Sequence, residues 1–182
     1  MLQFRSKINY TVEKSSSSTL LPSLCCCCND VIASGSGIGW TKPFSDPVAG
    51  LLPYFQSQAI ASNVSLIVAY DTTTNTSAGS VQLCDNIDRF RSEACAHRAE
   101  VSCFFVSPSL RGSKIGYGLL KKAEEVARGM GIKKLTLDCR ESQVQAIKLY
   151  ERYGFKRYGT MERYASLDGV VFQKGYYYDF DL

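Results

Sequence analysis

The spacing of apolar and polar residues changes several times along the chain, and each change marks an element. Val64–Asp71 (VSLIVAYD) and Ser77–Asp85 (SAGSVQLCD) are β-rich runs joined by TTTNT, the pattern of an antiparallel hairpin. Residues 86–97 are polar and irregular, and Ala99–Val106 (AEVSCFFV) then reads as a third strand, closed by Ser107 and Pro108. From about Ser113 to Arg128 the period lengthens. Ile115, Leu119, Ala123, Val126, Ala127 and Met130 recur at spacings near three and four among lysines and glutamates, which predicts an amphipathic helix ending at Gly129 or Gly131. Ile132–Cys139 alternates as a strand, VQAIKLYERYGF predicts a short helix closed by Gly154, and two strand runs finish the chain. Upstream, Asp46 as cap and Pro47 at the first helical position predict a helix to Ala61, with a break near Pro53. One further strand fits into the first two dozen residues, and residues 15–36, rich in Ser, Cys and Gly, read as a flexible connection.

The order β-β-β, α-β-α, β-β predicts an α/β fold, a mixed sheet with helices packed on it. At 182 residues and 45% hydrophobic content the chain suits one domain. We expect that domain over 37–182, preceded by a leader over 1–36. No window approaches the roughly 18 apolar residues of a membrane helix, so no membrane association is expected. The net charge of +4 hides an asymmetry, because residues 111–157 carry 12 Lys or Arg against 5 Asp or Glu. That segment invites an anion. A nucleic acid would require a concentrated basic face, and none is expected as partner.

Four of the eight cysteines, Cys25, Cys26, Cys27 and Cys28, form an unspaced run. Zinc sites use spaced pairs, so no metal site is expected. Without a recognisable signal peptide the thiols read as reduced and the protein as cytoplasmic, with S-acylation of the run as the alternative.

The chemistry concentrates between Glu100 and Leu120. A strand that turns directly into a helix leaves the first helical N–H groups unpaired, and the helix dipole there favours negative charge. Arg111, Gly112, Ser113, Lys114, Ile115 and Gly116 fill that turn, whose small residues would let a diphosphate approach the backbone. The segment VSPSLRGSKIGYGLL resembles the acetyl-CoA-binding motif of the GNAT acetyltransferases, with Arg111 and Gly116 at its defining positions and Lys114 where the family usually has Gly. QVQAIKLYERYGF resembles the family's downstream motif through Ala146, Leu149, Tyr150, Gly154 and Phe155, with Gln143 in place of the usual Asn. More loosely, GSGIGW (Gly35–Trp40) and HRAEV (His97–Val101) resemble tabtoxin-resistance-type acetyltransferases that act on small molecules.

The resemblance implies the GNAT fold: a mostly antiparallel sheet of about six or seven strands with helices on both faces. It also implies acetyl-CoA as co-substrate and direct transfer of an acetyl group to a primary amine. Such an amine, with a pKa near 10.4, is about three units too protonated at pH 7, a penalty of roughly 4 kcal/mol that a base must offset. Glu100 is the expected base and Tyr150 the expected acid for the departing thiolate. Strand periodicity puts Glu100 and Val106 on one face. Phe104, Phe105 and Val106 are expected to hold the pantetheine arm like a strand, with one N–H polarising the acetyl carbonyl. His97, the only histidine, reads as a solvent-facing loop residue, and Asp138 as a secondary proton acceptor. For the acceptor, a small amine is the first choice, with Trp40, Tyr54, Arg89 and Arg91 as pocket residues. A protein lysine or N-terminus, a non-catalytic acyl-CoA-binding role and a homodimer remain open.

Overall fold

A computed structural model describes residues 7–35, 38–85, 93–166 and 168–182. Seven strands form one sheet: β1 (Ile8–Glu13), β2 (Val64–Asp71), β3 (Thr76–Asp85), β4 (Arg98–Val106), β5 (Lys134–Arg140), β6 (Lys156–Ser166) and β7 (Phe172–Asp181). Four helices accompany them: α1 (Leu21–Ala33), α2 (Pro47–Ile60), α3 (Ile115–Gly129) and α4 (Val144–Tyr153). The strand order is β1-β2-β3-β4-β5-β7-β6. The β4/β5 pair is parallel, bridged by α3, and its neighbours pair antiparallel. The alternating burial of hydrophobic strand positions is satisfied by helices on both faces.

One core joins β2–β5 to α3, with Ile115, Leu119, Ala123 and Ala127 meeting Val81, Val101, Leu135 and Leu137; side chains of α4 pack against it. The other core lies between the sheet and α1 and α2, where Leu21, Leu24, Val31, Leu51 and Phe55 meet Leu66, Val68 and Phe105. The hairpin β2/β3 is where the sequence puts it, and so is α2, whose Asp46 Oδ1 accepts a hydrogen bond from Ala49 N at 3.0 Å. The break expected near Pro53 does not occur: α2 runs unbroken to Ile60 with Pro53 inside it and exposed, while Leu51 and Phe55 beside it are fully buried. Tertiary packing outweighs the one backbone bond that proline forfeits.

The flexible connection expected over residues 15–36 is the larger correction. Leu21–Ala33 is a helix with Pro22 in its first turn, and Leu21, Leu24, Cys25, Cys28, Val31 and Ile32 are buried along one stripe. In this setting cysteine behaves as a small apolar residue. Burying Leu21 and Leu24 alone is worth about 3–6 kcal/mol relative to exposure. Asn29 fixes the helix to the segment before α2, with Phe44 N donating to its Oδ1 at 2.8 Å and its Nδ2 donating to Phe44 O at 3.3 Å. With β1 paired along β2, residues on both sides of the expected 36/37 boundary build the same sheet and core.

Candidate active site

The parallel pairing of β4 with β5 covers Arg98–Glu100 against Lys134–Thr136 and then ends, although both strands continue, to Val106 and Arg140. On its other side β4 stays paired with β3 as far as Val106 opposite Gly79. A side chain at 79 would put its Cβ 2.5 Å from Phe105 O, so glycine is required for that contact. From Val101 onward the β5-facing backbone of β4 therefore borders a gap instead of a strand.

A bulge shapes that edge. Gln82 pairs with Ser102 and Ser80 with Phe105, so Cys103 and Phe104 oppose Val81 alone, and Cys103 takes the left-handed φ of 45°. The extra residue inverts the alternation. Ala99 and Val101 before the bulge, and Phe104 and Val106 after it, belong with the α3-side core, whereas Cys103 and Phe105 join the α1/α2 side. Glu100 and Val106 thus lie on opposite faces, which corrects the periodicity argument that put them together.

After β4, Gly112 has φ 82° and Lys114, the cap of α3, φ 67°. The first intrahelical bond runs from Gly118 N to Lys114 O at 3.1 Å, so the N–H groups of Ile115, Gly116 and Tyr117 precede the ladder and have no acceptor within the helix. A Cβ on Gly116 would lie 3.0 Å from Leu149 Cδ2 and 3.2 Å from Phe104 Cζ, so its absence keeps the start of α3 close to both α4 and β4. Arg111 Nη2 donates to Ser34 Oγ at 3.2 Å, tying the turn to the end of α1. Around this turn lies a cleft of about 1070 Å³ lined by residues including Phe104, Phe105, Val106, Arg111, Gly112, Lys114, Ile115, Gly116 and Gln143. Phe105 is 3% exposed with its ring 6.5 Å from that of Phe55, so it offers the cleft main chain rather than side chain. Exposed donors at a helix start, a cationic rim and an open strand edge fit a group with a diphosphate and an amide-bearing arm.

A second pocket of about 290 Å³ lies between the diverging strands, lined by Glu100, Trp40, Ile38, Phe104, Asp138, Arg140, Gln143, Tyr150 and Tyr164 among others. Phe104, Gln143 and Ile38 border both spaces, so the two adjoin. Tyr150 is 5% exposed, its ring 5.7 Å from Phe104, 5.9 Å from Phe155 and 6.3 Å from Tyr178. Burial, reinforced by Cys139 and Asp138, pushes its phenol well above the ordinary value of 10, so it holds its proton at neutral pH. Tyr164 donates a hydrogen bond to Asp138 Oδ1.

Most of the residues singled out from the sequence meet here. Glu100, Tyr150, Trp40 and Gln143 share the smaller pocket, and the cofactor positions line the larger one except Ser113, whose hydroxyl turns back to Leu110 O. Tyr54 stands behind the wall: its ring packs edge-on to Trp40 at 5.2 Å and its hydroxyl donates to Gln82 Oε1 at 3.0 Å. Burial, with Cys103 beside it, drives that phenol upward. Arg89 and Arg91 lie outside the described residues. His97 is exposed. Arg140 and Tyr164 were not singled out. The period-two pattern Thr136, Asp138, Arg140, opposite Leu135, Leu137 and Cys139, is the signal that points to Arg140. Among the described residues no cluster of His, Cys, Asp and Glu suits a metal ion.

A splayed parallel strand pair with an unladdered helix start beside it leaves a strand edge and a set of N–H donors open to one elongated, diphosphate-bearing molecule. The family model described as acetyltransferase (GNAT) family matches residues 37–155, and the chain belongs to that family, whose acyl donor is acetyl-CoA. Over 65 residues it is 38% identical to an IAA acetyltransferase of Azospirillum brasilense, a match covering 36% of this chain and 42% of that relative's length. A protein assigned as a phosphinothricin N-acetyltransferase has the same fold, with a TM-score of 0.77 at 23% identity over 97% of this chain and 99% of its own. So does a protein of Salmonella typhimurium assigned as an acetyltransferase, whose structure was determined with acetyl-CoA, at TM-score 0.72 and 14% identity over 96% of this chain and 94% of its own.

Proposed function

We propose that this chain is an N-acetyltransferase that moves an acetyl group from acetyl-CoA to the primary amine of a small molecule. The observation that carries the reading is the adjacency of two spaces: the cleft at the start of α3 opens beside the compact pocket that Glu100 and Tyr150 line. Acetyl-CoA, when bound, supplies an acetyl thioester activated toward amines. Main-chain N–H groups of Gly112, Ile115 and Gly116, with Arg111 and Lys114, would hold its diphosphate, and the open edge of β4 at Phe104 and Val106 would hold the amide-bearing arm.

Glu100 accepts the proton that the amine must lose before it can attack, and a β4 N–H at the bulge polarises the acetyl carbonyl. Tyr150, kept protonated by burial, donates to the sulfur that leaves. Its raised value does not disable it, because a thiolate in the same desolvated space is raised as well. Gln143, at the cap of α4, borders both spaces and orients the arm.

The test is thiol release from acetyl-CoA with a panel of primary amines. We expect turnover with at least one small amine, and a loss of about 10²–10⁴-fold in kcat/KM for Glu100→Gln and in kcat for Tyr150→Phe. Unchanged turnover in both variants, with coenzyme binding intact, contradicts the assigned roles.

A further inference from the structure

The charged residues that line the larger cleft are all cations: Arg111, Lys114, Lys148 and Arg152, with no carboxylate among the described lining residues. The first two belong to the turn before α3, where the diphosphate goes. The other two stand on α4. Val144, Lys148 and Arg152 are spaced i, i+4, i+8 and form one stripe along that helix, with Gln145 and Leu149 beside it, and all five line the cleft. Lys148 and Arg152 are therefore about 6 Å apart along the helix axis. Both are exposed, and neither takes part in an ion pair among the described residues. Glu151, the acid between them in sequence, does not line the cleft; its Oε1 accepts a hydrogen bond from the Tyr178 hydroxyl at 3.2 Å. Like charges at this spacing disfavour a helix, and a bound anion removes that repulsion.

The place of the pair follows from how α3 and α4 meet. A Cβ on Gly116 would lie 3.0 Å from Leu149 Cδ2, so Leu149 marks a point of close approach to the first turn of α3. Lys148 precedes it by one residue and Arg152 follows it by three, which keeps both within about one helical turn of the diphosphate seat. Tyr117, 48% exposed, lines the same stretch from the α3 side. Its ring lies 5.1 Å from that of Tyr153, whose hydroxyl donates to Glu124, so its pose is held from behind. Beyond the start of α3 the cleft thus offers two cations and an aromatic surface. Coenzyme A extends beyond its diphosphate in matching fashion, with a ribose that carries a 3′-phosphate a few bonds from the 5′-phosphate, and with adenine. That second phosphate holds about −1.5 to −2 charge at pH 7, and the α3 start with Arg111 and Lys114 is already occupied by the first.

We propose that Lys148 and Arg152 seat the 3′-phosphate of coenzyme A, with Tyr117 as the surface against which the adenine lies, so that the protein distinguishes the 3′-phosphorylated coenzyme from thioesters that lack that group. The inference rests on the larger cleft receiving acetyl-CoA and deepens that assignment; it does not depend on which amine is acetylated. Arg152 presents a planar fork to the phosphate oxygens and Lys148 a point charge. Because the seat is open to solvent, it adds selectivity without the cost of burying two cations, and salt competes with it. A pantetheine arm borne by a carrier protein has no nucleotide and gains nothing from the seat, so it is disfavoured as donor.

The experiment titrates the protein calorimetrically with coenzyme A and with 3′-dephospho-coenzyme A at low and at high salt, so that binding is read without turnover. Wild-type protein is expected to bind coenzyme A about ten-fold more tightly at low salt, with the ratio shrinking as salt rises. Lys148→Gln combined with Arg152→Gln is expected to bring the ratio close to one, each single variant to fall between, and Lys148→Arg to keep the wild-type ratio. Tyr117→Ala is expected to weaken both ligands alike. Melting curves establish that each variant is folded, and the single variants read the same ratio if the double one is not. A ratio near one in the wild type, an unchanged ratio in the folded glutamine variants, or a ratio that collapses in Tyr117→Ala overturns the inference, while coenzyme binding itself leaves the acetyltransferase reading in place. Failure of the wild type to bind either ligand overturns that reading and this inference together.

Discussion

Lys114 occupies the position where the resembling motif carries glycine, and its φ of 67° explains the usual choice. A side chain in the left-handed region costs about 1–2 kcal/mol, which glycine avoids at an entropic cost of about 0.5–1 kcal/mol. Lys114→Gly should therefore stabilise the fold by about 0.5–1 kcal/mol, a rise of roughly 1–4 °C in Tm for a chain of this size. Against that gain stands the ammonium, exposed at the rim of the larger cleft. An exposed ion pair is worth little, so its loss should weaken acetyl-CoA binding by about two- to five-fold, with the deficit shrinking as salt rises. Lys114→Ala separates the two effects, because it keeps the strained backbone and removes the charge: it should weaken binding equally without stabilising. Denaturant midpoints and coenzyme titration at two salt concentrations read both quantities. If Lys114→Gly lowers Tm, or if Lys114→Ala stabilises as much as Lys114→Gly, the left-handed cap is not the source of the effect and the reasoning is wrong.

Three other outcomes follow from the same geometry. Gly116→Val should cut coenzyme affinity and lower Tm together, since its first carbon already meets Leu149 and Phe104 at 3.0 and 3.2 Å; an unchanged titration would show that α3 need not approach them. Burial pushes the Cys25 thiol up to about 11 and Cys27 up to about 12, whereas Cys26 is exposed, so a thiol reagent at pH 8 should label Cys26 well ahead of its three neighbours, as peptide mapping would reveal. Burial raises the Glu124 carboxyl, but hydrogen bonds from Tyr153 and Arg128 outweigh it and hold the group below its ordinary value. The contribution of this α3–α4 tie is therefore present above the unfolded carboxylate value and lost as pH falls through the lowered one; Tyr153→Phe should flatten that acid limb in a Tm-against-pH series.

How much of this was legible depended on whether one residue's neighbours obey a single period. The hairpin β2/β3, α2 with its Asp46 cap, and α3 do so, and the sequence pattern locates each to within a residue or two. Helix α1 escaped because a third of its apolar stripe is cysteine: counting Cys25 and Cys28 as apolar beside Leu21, Leu24, Val31 and Ile32 restores the helical spacing, and Pro22 then marks the start. The reversed phase of β4 has a trace in the sequence too. Alternation holds through Ala99 and Val101 and then fails in the unbroken apolar run Cys103–Val106, where the bulge falls. Periodicity carried through a bulge assigns the wrong face. Arg140 went unnoticed for a different reason: a cation near the end of a strand reads as solvent-facing until the divergence of β4 and β5 is known, and that divergence is a property of pairing, not of either strand alone.

The account depends on the edge of β4 and the first turn of α3 receiving acetyl-CoA. Amide hydrogen exchange of the wild-type protein with and without acetyl-CoA reads those N–H groups individually. The predicted result is protection gained at Phe104 and Val106 and at Gly112 and Ile115–Tyr117, with the β3-facing amides of β4, Phe105 among them, unchanged; protection confined to other segments, or none at saturating coenzyme, would contradict it.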